Sequence, residues 1–448
     1  MSVKVGMVSL GCPKNQVDAE HMLFNLRGEA FEIVSDAALS DVVIVNTCGF
    51  IESAKQEAID TILEFCTLKQ EGRIKAVIVT GCLAERYRDQ ILQEIPEVDA
   101  VLGIGANEQL CAVIRDVLQT KESIALYGEK EALDIDGGRI LSTEPFYAYL
   151  KIAEGCDNRC TYCAIPGIRG KFRSRTIENI LKEANWLAEH GVKELVLIAQ
   201  DTTLYGKDLY GAPRIAELLE ALCKIEGLKW IRTLYSYPEH ITDALLDVIA
   251  REEKLVKYID LPIQHCDDQI LKRMNRPGGE ESLRTVIAKI RGKIPGVVLR
   301  TTLITGFPGE TAAQFERLAV FAREMRFDRL GCFAYSEEEG TPAAEFPDQI
   351  EPEERTRRAE IIMNEQLLTM EALNCARIGE TAEVVVEGFD RLAECWFGRS
   401  CADAPEIDGK IFFTSKKKLP VGAFVRVKLT DVLDYDLLGE SEADSNQP

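Results

Sequence analysis

The first stretch of the chain alternates short apolar runs with amphipathic segments. "VKVGMVSL", "DVVIVN" (Asp41 to Asn46) and "IKAVIVT" (Ile74 to Thr80) read as buried strands, and "IESAKQEAIDTILEFC" as a helix between two of them. β-Branched runs separated by helical periods predict a parallel α/β sheet with helices on its faces. A polar stretch around residues ~120–145, with "DGG" at Asp136 to Gly138, reads as a linker. Six strand-like runs follow: Ala148 to Ala153, Glu194 to Ala199, Trp230 to Tyr235, Lys257 to Leu261, Val297 to Ile304 and Arg329 to Tyr335. Amphipathic helices such as "IENILKEANWLAEHG" lie between them. Repeated βα units with right-handed crossovers curl into a barrel, and six of them predict a partial (β/α)6 wall, short of the eight of a full one.

A charged helix from Glu351 to about Leu373 leads into a different texture. From Gly379 to Leu438 the runs "TAEVVVEGF", "KIFFTS", "FVRVKLTDVL" and "YDLLGE" are short and separated by turns, which predicts a small antiparallel β-barrel. The expected units are residues 1–125, 140–372 and 375–441, with a tail at 442–448 ("SEADSNQP" from Ser441) expected to be disordered.

Cysteine changes this picture from architecture to chemistry. No apolar run reaches the ~20 residues of a membrane span, and the start lacks the charged-then-apolar shape of an export signal. The expected setting is therefore the cytoplasm. Thiols stay reduced there, so fourteen cysteines point to metal or catalysis rather than disulfides. Cys12, Cys48 and Cys82 each fall just past one of the first three strands. That edge of an open α/β sheet is where ligands bind, and nearby helix N-termini favour thiolates. Three buried core cysteines is the alternative reading. Cys156, Cys160 and Cys163 form a C-x3-C-x2-C run after the first barrel strand. Three thiols in one loop with no close fourth ligand suit an iron–sulfur cluster with one open iron better than a four-ligand zinc site.

The motif "EGCDNRCTYCAIPGIRGKFRSR", with the aromatic Tyr162 before its last cysteine, resembles the radical S-adenosylmethionine enzymes. The resemblance implies that the fourth iron binds S-adenosylmethionine and that an electron from the cluster releases a hydrogen-abstracting 5′-deoxyadenosyl radical. Together with "SLGCPKNQVDAE", "VNTCGF", "TGCLAERY", "LITGFPGET" and a C-terminal domain similar to the small barrel called TRAM, the whole chain resembles a methylthiotransferase. The resemblance implies two [4Fe-4S] clusters, on Cys12, Cys48 and Cys82 and on Cys156, Cys160 and Cys163. It implies cofactor contacts at Tyr162, Gln200, Asp201, Gly306 and Gly309, and no catalytic group is assigned beyond the clusters. It also implies a low-potential electron donor and a sulfur donor.

"LGCPKNQVD", "CDNRCTYCAIP" and "DAPEIDG" (Asp403 to Gly409) resemble the branch that adds a methylthio group to the β-carbon of an aspartate in a small-subunit ribosomal protein, S-twelve. The alternative branch acts on N6-isopentenyladenosine of tRNA. Charge favours the first. The chain carries −21 overall, and Arg377 to Glu440 holds nine Lys+Arg against twelve Asp+Glu. An acidic surface attracts a basic protein and repels a polyanion. "KKK" (Lys416 to Lys418) is the place where nucleic acid could still be touched, and is otherwise a solvated hairpin face. A closed electron carrier would need four-cysteine sites, which the three-plus-three count opposes.

Other positions stay open between two roles. Gln200 and Asp201 either contact the cofactor's methionine part or cap their loop. Gly306 and Gly309 either shape a turn or admit the nucleotide. Arg169, Arg173 and Arg175 either steady a carboxylate or are surface charges. His265 and Cys266 follow a barrel strand and could line the pocket. Cys401 stands where this branch more often has an aromatic.

Overall fold

The computed structural model describes residues 2–120 and 122–442. Beyond Glu442, the tail expected to be disordered lies outside the described residues.

The N-terminal unit is a six-stranded, all-parallel sheet in the order β2-β1-β3-β4-β5-β6. Its elements are β1 (Lys4–Ser9), α1 (Pro13–Gly28), β2 (Glu32–Val34), β3 (Val42–Thr47), α2 (Glu52–Gln70), β4 (Ala76–Gly81), α3 (Cys82–Tyr87), α4 (Asp89–Glu94), β5 (Ala100–Leu102), α5 (Leu110–Thr120) and β6 (Ile124–Leu126). The central strands "VVIVNT" and "AVIVTG" are buried along their whole length because helices cover both faces. The sequence pattern anticipates β1, β3 and β4. It misses β2, β5 and β6, each three residues long and too short to leave a period. β6 also lies inside the stretch read as linker. The rest of that stretch is a strap fixed by Arg139, which is 4% exposed and paired with Glu20 of α1 and Glu183.

The central unit holds β7 (Tyr147–Lys151), β8 (Ala153–Glu154), α6 (Ile165–Arg169), β9 (Arg173–Ser174), α7 (Ile177–Glu189), β10 (Glu194–Ile198), α8 (Lys207–Tyr210), α9 (Ile215–Cys223), β11 (Trp230–Thr233), α10 (Asp243–Arg251), β12 (Tyr258–Asp260), α11 (Asp268–Arg273), α12 (Glu280–Lys293), β13 (Val298–Thr305), α13 (Ala312–Met325), β14 (Arg329–Ala334) and α14 (Pro352–Ala376). Two parallel three-stranded sheets, β11-β10-β7 and β12-β13-β14, meet at a bridge between Ile231 and Leu255 and form the six-stranded wall. Outward side chains join the helices in one large core, with Leu150, Leu197, Ile259, Leu299, Leu218 and Phe321 among its buried members. Tyr147, Tyr149, Val196, Ile198, Trp230 and Tyr258 cluster separately with Val17 of α1 and with Ala404 of the last unit. The lumen of the wall is therefore filled partly by its neighbours.

The last unit is a closed five-stranded barrel, β15-β16-β17-β19-β18. Its strands are β15 (Thr381–Asp390), β16 (Cys395–Ser400), β17 (Ile411–Thr414), β18 (Phe424–Leu433) and β19 (Asp436–Ser441). Sequence reading finds four of them and misses β16, "CWFGRS". A strand glycine weakens the pattern, but a side chain on Gly398 would run into the Val385 carbonyl of β15, so close pairing requires it. The turn after β16 docks beneath the central wall. Arg329 pairs with Asp403, Tyr147 donates to Glu406 Oε1 (2.8 Å) and Tyr258 donates to Asp408 Oδ2 (2.7 Å). These partners open β14, β7 and β12, so "DAPEID" plugs the floor of the barrel, opposite the strand ends that precede the cysteine loop.

Candidate functional site

Each N-terminal cysteine is placed by its strand. Cys12 is the N-cap of α1, Cys48 follows β3 directly, and Cys82 opens α3 straight after β4. Because β1, β3 and β4 are neighbours, the three thiols share one sheet edge. Gly11 (φ +90°) seats directly against Cys48: a Cβ there would lie 2.5 Å from the Cys48 Cβ. Gly81 (φ +94°) makes the turn into α3, with no room for a Cβ against the Thr47 backbone oxygen at 2.5 Å. Burial, with the neighbouring cysteines adding to it, pushes Cys48 above its ordinary value and Cys82 to about 12.

The barrel triplet sits in the loop after β8. Three barrel segments hold that loop. Thr161 donates its backbone N–H to Met274 O (3.0 Å) and its hydroxyl to Arg273 O (2.8 Å). Asn275 donates to Arg159 O (3.0 Å), and Asn158 donates to Asp201 Oδ2 (3.0 Å). Tyr162 packs against the cluster of Ile270, Met274, Phe307 and Tyr335. Cys156, Cys160 and Cys163 all line an open cleft of about 910 Å³. Its opposite wall comes from Glu85, Arg86 and Tyr87 of α3, the helix that begins at Cys82. One short helix thus runs from the first thiol set to the cleft of the second. Arg86 clamps the units together here, donating to Gly49 O (2.9 Å), Glu338 Oε2 (2.7 Å) and Glu339 O (2.7 Å).

Between the triplets lies a buried set of charges. Lys151 pairs with Asp18 and with Glu154 Oε2 (2.9 Å), and Arg169 pairs with Asp18 Oδ2 (2.5 Å) and Glu154 Oε2 (3.1 Å). All four side chains are at most 2% exposed. Burial works against the Glu154 carboxylate, but Lys151 and Arg169 outweigh it and hold its pKa well below the ordinary range. Lys14 of α1 joins this region, with Nζ 3.3 Å from the centre of the Tyr235 ring. None of Lys14, Asn15, Asp18, Lys151 or Glu154 was singled out in the sequence. A lysine inside the apolar run "AYLKIA" was the available signal, because a buried charge needs a partner.

The other candidates divide. Asp201 is fully buried, and its Oδ1 accepts from the backbone of Thr203 and Leu204 and from the Thr203 hydroxyl. Oδ2 accepts from Asn158 and lies 3.0 Å from His240 Nδ1, so this carboxylate anchors two loops. Gln200 donates to Glu154 Oε1 (2.5 Å), and its own Oε1 is a buried acceptor without a partner. Gly306 (φ +70°) packs on Arg355, where a Cβ would lie 2.5 Å from Cγ, and Gly309 (φ +78°) packs on the Arg273 guanidinium. Arg173 and Arg175 are not surface charges: they bind the strap at Lys130 O (2.9 Å) and Asp136 Oδ1 (2.6 Å). His265 is fully buried with Nε2 3.6 Å from Glu310, and Cys266 lies in the outer core. Cys401 and Lys416 to Lys418 are exposed. No group of three His, Cys, Asp or Glu among the described residues converges on a single metal ion.

A three-cysteine loop at the strand ends of a parallel βα wall, opening on a cleft, defines a radical S-adenosylmethionine enzyme. The chain matches the Radical SAM superfamily over residues 150–322, the TRAM domain over 378–441, and uncharacterized protein family UPF0004 over 4–103. It is 48% identical over 448 residues to the ribosomal protein uS12 methylthiotransferase RimO of Acetivibrio thermocellus, covering 98% of each chain. The protein of the same name from Desulforamulus reducens is 51% identical over 441 residues, with 97% of this chain and 99% of that one covered. The chain belongs to the radical S-adenosylmethionine methylthiotransferases, in the RimO branch. Among solved structures, the radical S-adenosylmethionine methyltransferase TsrM of Kitasatospora setae superposes with a TM-score of 0.58 at 14% identity, covering 77% of each chain. That likeness concerns the fold alone. No described helix is long and apolar enough to cross a membrane.

Proposed function

We propose that this enzyme adds a methylthio group to the β-carbon of an aspartate in ribosomal protein uS12, in the cytoplasm. Near-half identity along the whole chain to proteins named for that substrate carries the reading. The residues present fit the cofactors. Each triplet offers three thiols, the donor type iron–sulfur clusters take, and would leave one iron of a [4Fe-4S] cluster without a cysteine ligand. The cleft beside Cys156, Cys160 and Cys163 has the size of a small-molecule site. Cys12, Cys48 and Cys82 would hold one [4Fe-4S] cluster, and the barrel cysteines the other with S-adenosylmethionine. When bound, these groups supply one-electron reduction, hydrogen abstraction, the methyl group and sulfur.

The protein's own part is positioning. The 273–275 segment and Asp201 fix the barrel loop from two sides, so its thiols hold their spacing. Arg86, on the cleft wall, ties α3 to the barrel through Glu338, which Lys55 also pairs with. Tyr162 supports the loop from its apolar side and Gln200 presents an unpaired acceptor, which is the contact we assign to the cofactor's ammonium. Gly306 and Gly309 keep their turn narrow against Arg355 and Arg273. The chain's −21 charge favours a basic protein substrate and disfavours tRNA.

The test is anaerobic reconstitution followed by S-adenosylmethionine, reductant, and either uS12 or tRNA. Methylthio gain on a uS12 aspartate supports the reading. Gain on tRNA adenosine alone replaces it with the tRNA branch.

A further inference from the structure

Arg169 belongs by sequence to the barrel loop: it ends α6, six residues after Cys163. Its guanidinium turns away from those cysteines. Nη2 lies 3.2 Å from Cys82 Sγ and 3.1 Å from Asn15 Oδ1, both in the N-terminal unit. Nη1 donates to Asp18 Oδ2 and Glu154 Oε2. The residue is 1% exposed, so these contacts leave it no solvent alternative. Four acceptors on three separate segments match the planar fork of a guanidinium and not the point charge of an ammonium.

We propose that Arg169 is a positioning residue for the N-terminal cluster. It fixes Cys82 Sγ against the barrel loop and, once that sulfur ligates iron, raises the cluster's reduction potential through a charge-assisted N–H···S bond. The reasoning is electrostatic. Reduction places more negative charge on the sulfurs, a donated hydrogen bond from a cation favours that state, and such bonds are among the levers that set iron–sulfur potentials. Asp18 and Glu154 hold the cation in place from the far side. The inference rests on the reading that Cys12, Cys48 and Cys82 bind a cluster. If it holds, one residue of the barrel loop tunes the other metal site.

The experiment uses the full chain with Cys156, Cys160 and Cys163 each changed to Ala, reconstituted with iron and sulfide so that only the N-terminal triplet can load. Iron content, midpoint potential and pulsed EPR in deuterated buffer are compared for this parent, Arg169→Lys and Arg169→Gln. The expected result is a loaded parent with an exchangeable-deuteron coupling at its cluster. Arg169→Gln loses that coupling and lowers the potential by the equivalent of about tenfold, or about 59 mV for one electron. Arg169→Lys falls between the two. Should Arg169→Gln not fold, Arg169→Lys alone carries the test, since it keeps the charge and loses the fork. Unchanged potential and coupling in a loaded variant overturn the inference and leave the cluster reading intact. A parent that binds no iron overturns the cluster reading and the inference with it.

Discussion

The buried quartet of Asp18, Lys151, Glu154 and Arg169 predicts a large and specific coupling between the N-terminal sheet unit and the barrel. Two positive and two negative side chains, none more than 2% exposed, balance one another. Changing Lys151 to Met keeps the volume but leaves two carboxylates sharing one guanidinium. Breaking a buried pair in this way costs about 3–5 kcal/mol, roughly a hundred- to several-thousand-fold in the opening equilibrium. Asp18→Asn leaves the opposite imbalance at comparable cost. The double variant restores one cation to one anion, Arg169 with Glu154, so it should be less destabilised than the two singles summed by about 2–3 kcal/mol. Native-state hydrogen exchange of the β7 and α1 amides measures this locally, without requiring the multi-unit chain to unfold in one step. Single-variant losses that add to within about 0.5 kcal/mol would show that the two units are not coupled through these charges.

Further outcomes follow from other contacts. Gly81→Ala forces a Cβ onto the Thr47 carbonyl at a positive φ, so it should displace Cys82 and lower the iron bound by the N-terminal triplet, read by iron and sulfide assay. Glu406→Ala removes the acceptor of Tyr147 and Tyr149; it should cost about 1–3 kcal/mol and make the segment between α14 and β15 more open to proteolysis. Burial disfavours the Glu338 carboxylate, yet hydrogen bonds from Ser336, Arg86 and Lys55 outweigh it and hold its pKa below the ordinary range. Its clamp is therefore fully present above that ordinary value, ~4.3, and lost as pH falls through the lower folded value. Protection of the α3 amides, referenced to the intrinsic exchange rate at each pH, should fall in acid, and Glu338→Gln should flatten that fall.

The sequence makes the large-scale plan legible because its signals are local. Buried β-branched runs mark β3 and β4, and the cysteines that follow them announce a shared sheet edge before any contact is known. Three-residue strands such as β5 leave no period to read. β16 is hidden because Gly398, which the close pairing demands, looks like a break. The charges that join the two thiol sets are harder still. Asp18 and Arg169 are 151 positions apart, and each alone passes for a solvated surface residue. Only the packing of α1 into the barrel reveals that both are buried and must pair. The turn "DAPEID" misleads in the other direction: its three acidic residues count toward the acidic balance of the last unit, whereas the structure spends them on Arg329, Tyr147 and Tyr258 at the barrel floor.

The central claim is tested most directly by mass spectrometry of uS12 after anaerobic turnover with the doubly loaded enzyme and S-adenosylmethionine. The account predicts one methylthio group on an aspartate β-carbon, lost when Cys12, Cys48 or Cys82 is changed to Ala although the barrel cluster remains. Unmodified uS12 from a fully loaded enzyme, with the same group found on tRNA adenosine, would contradict it.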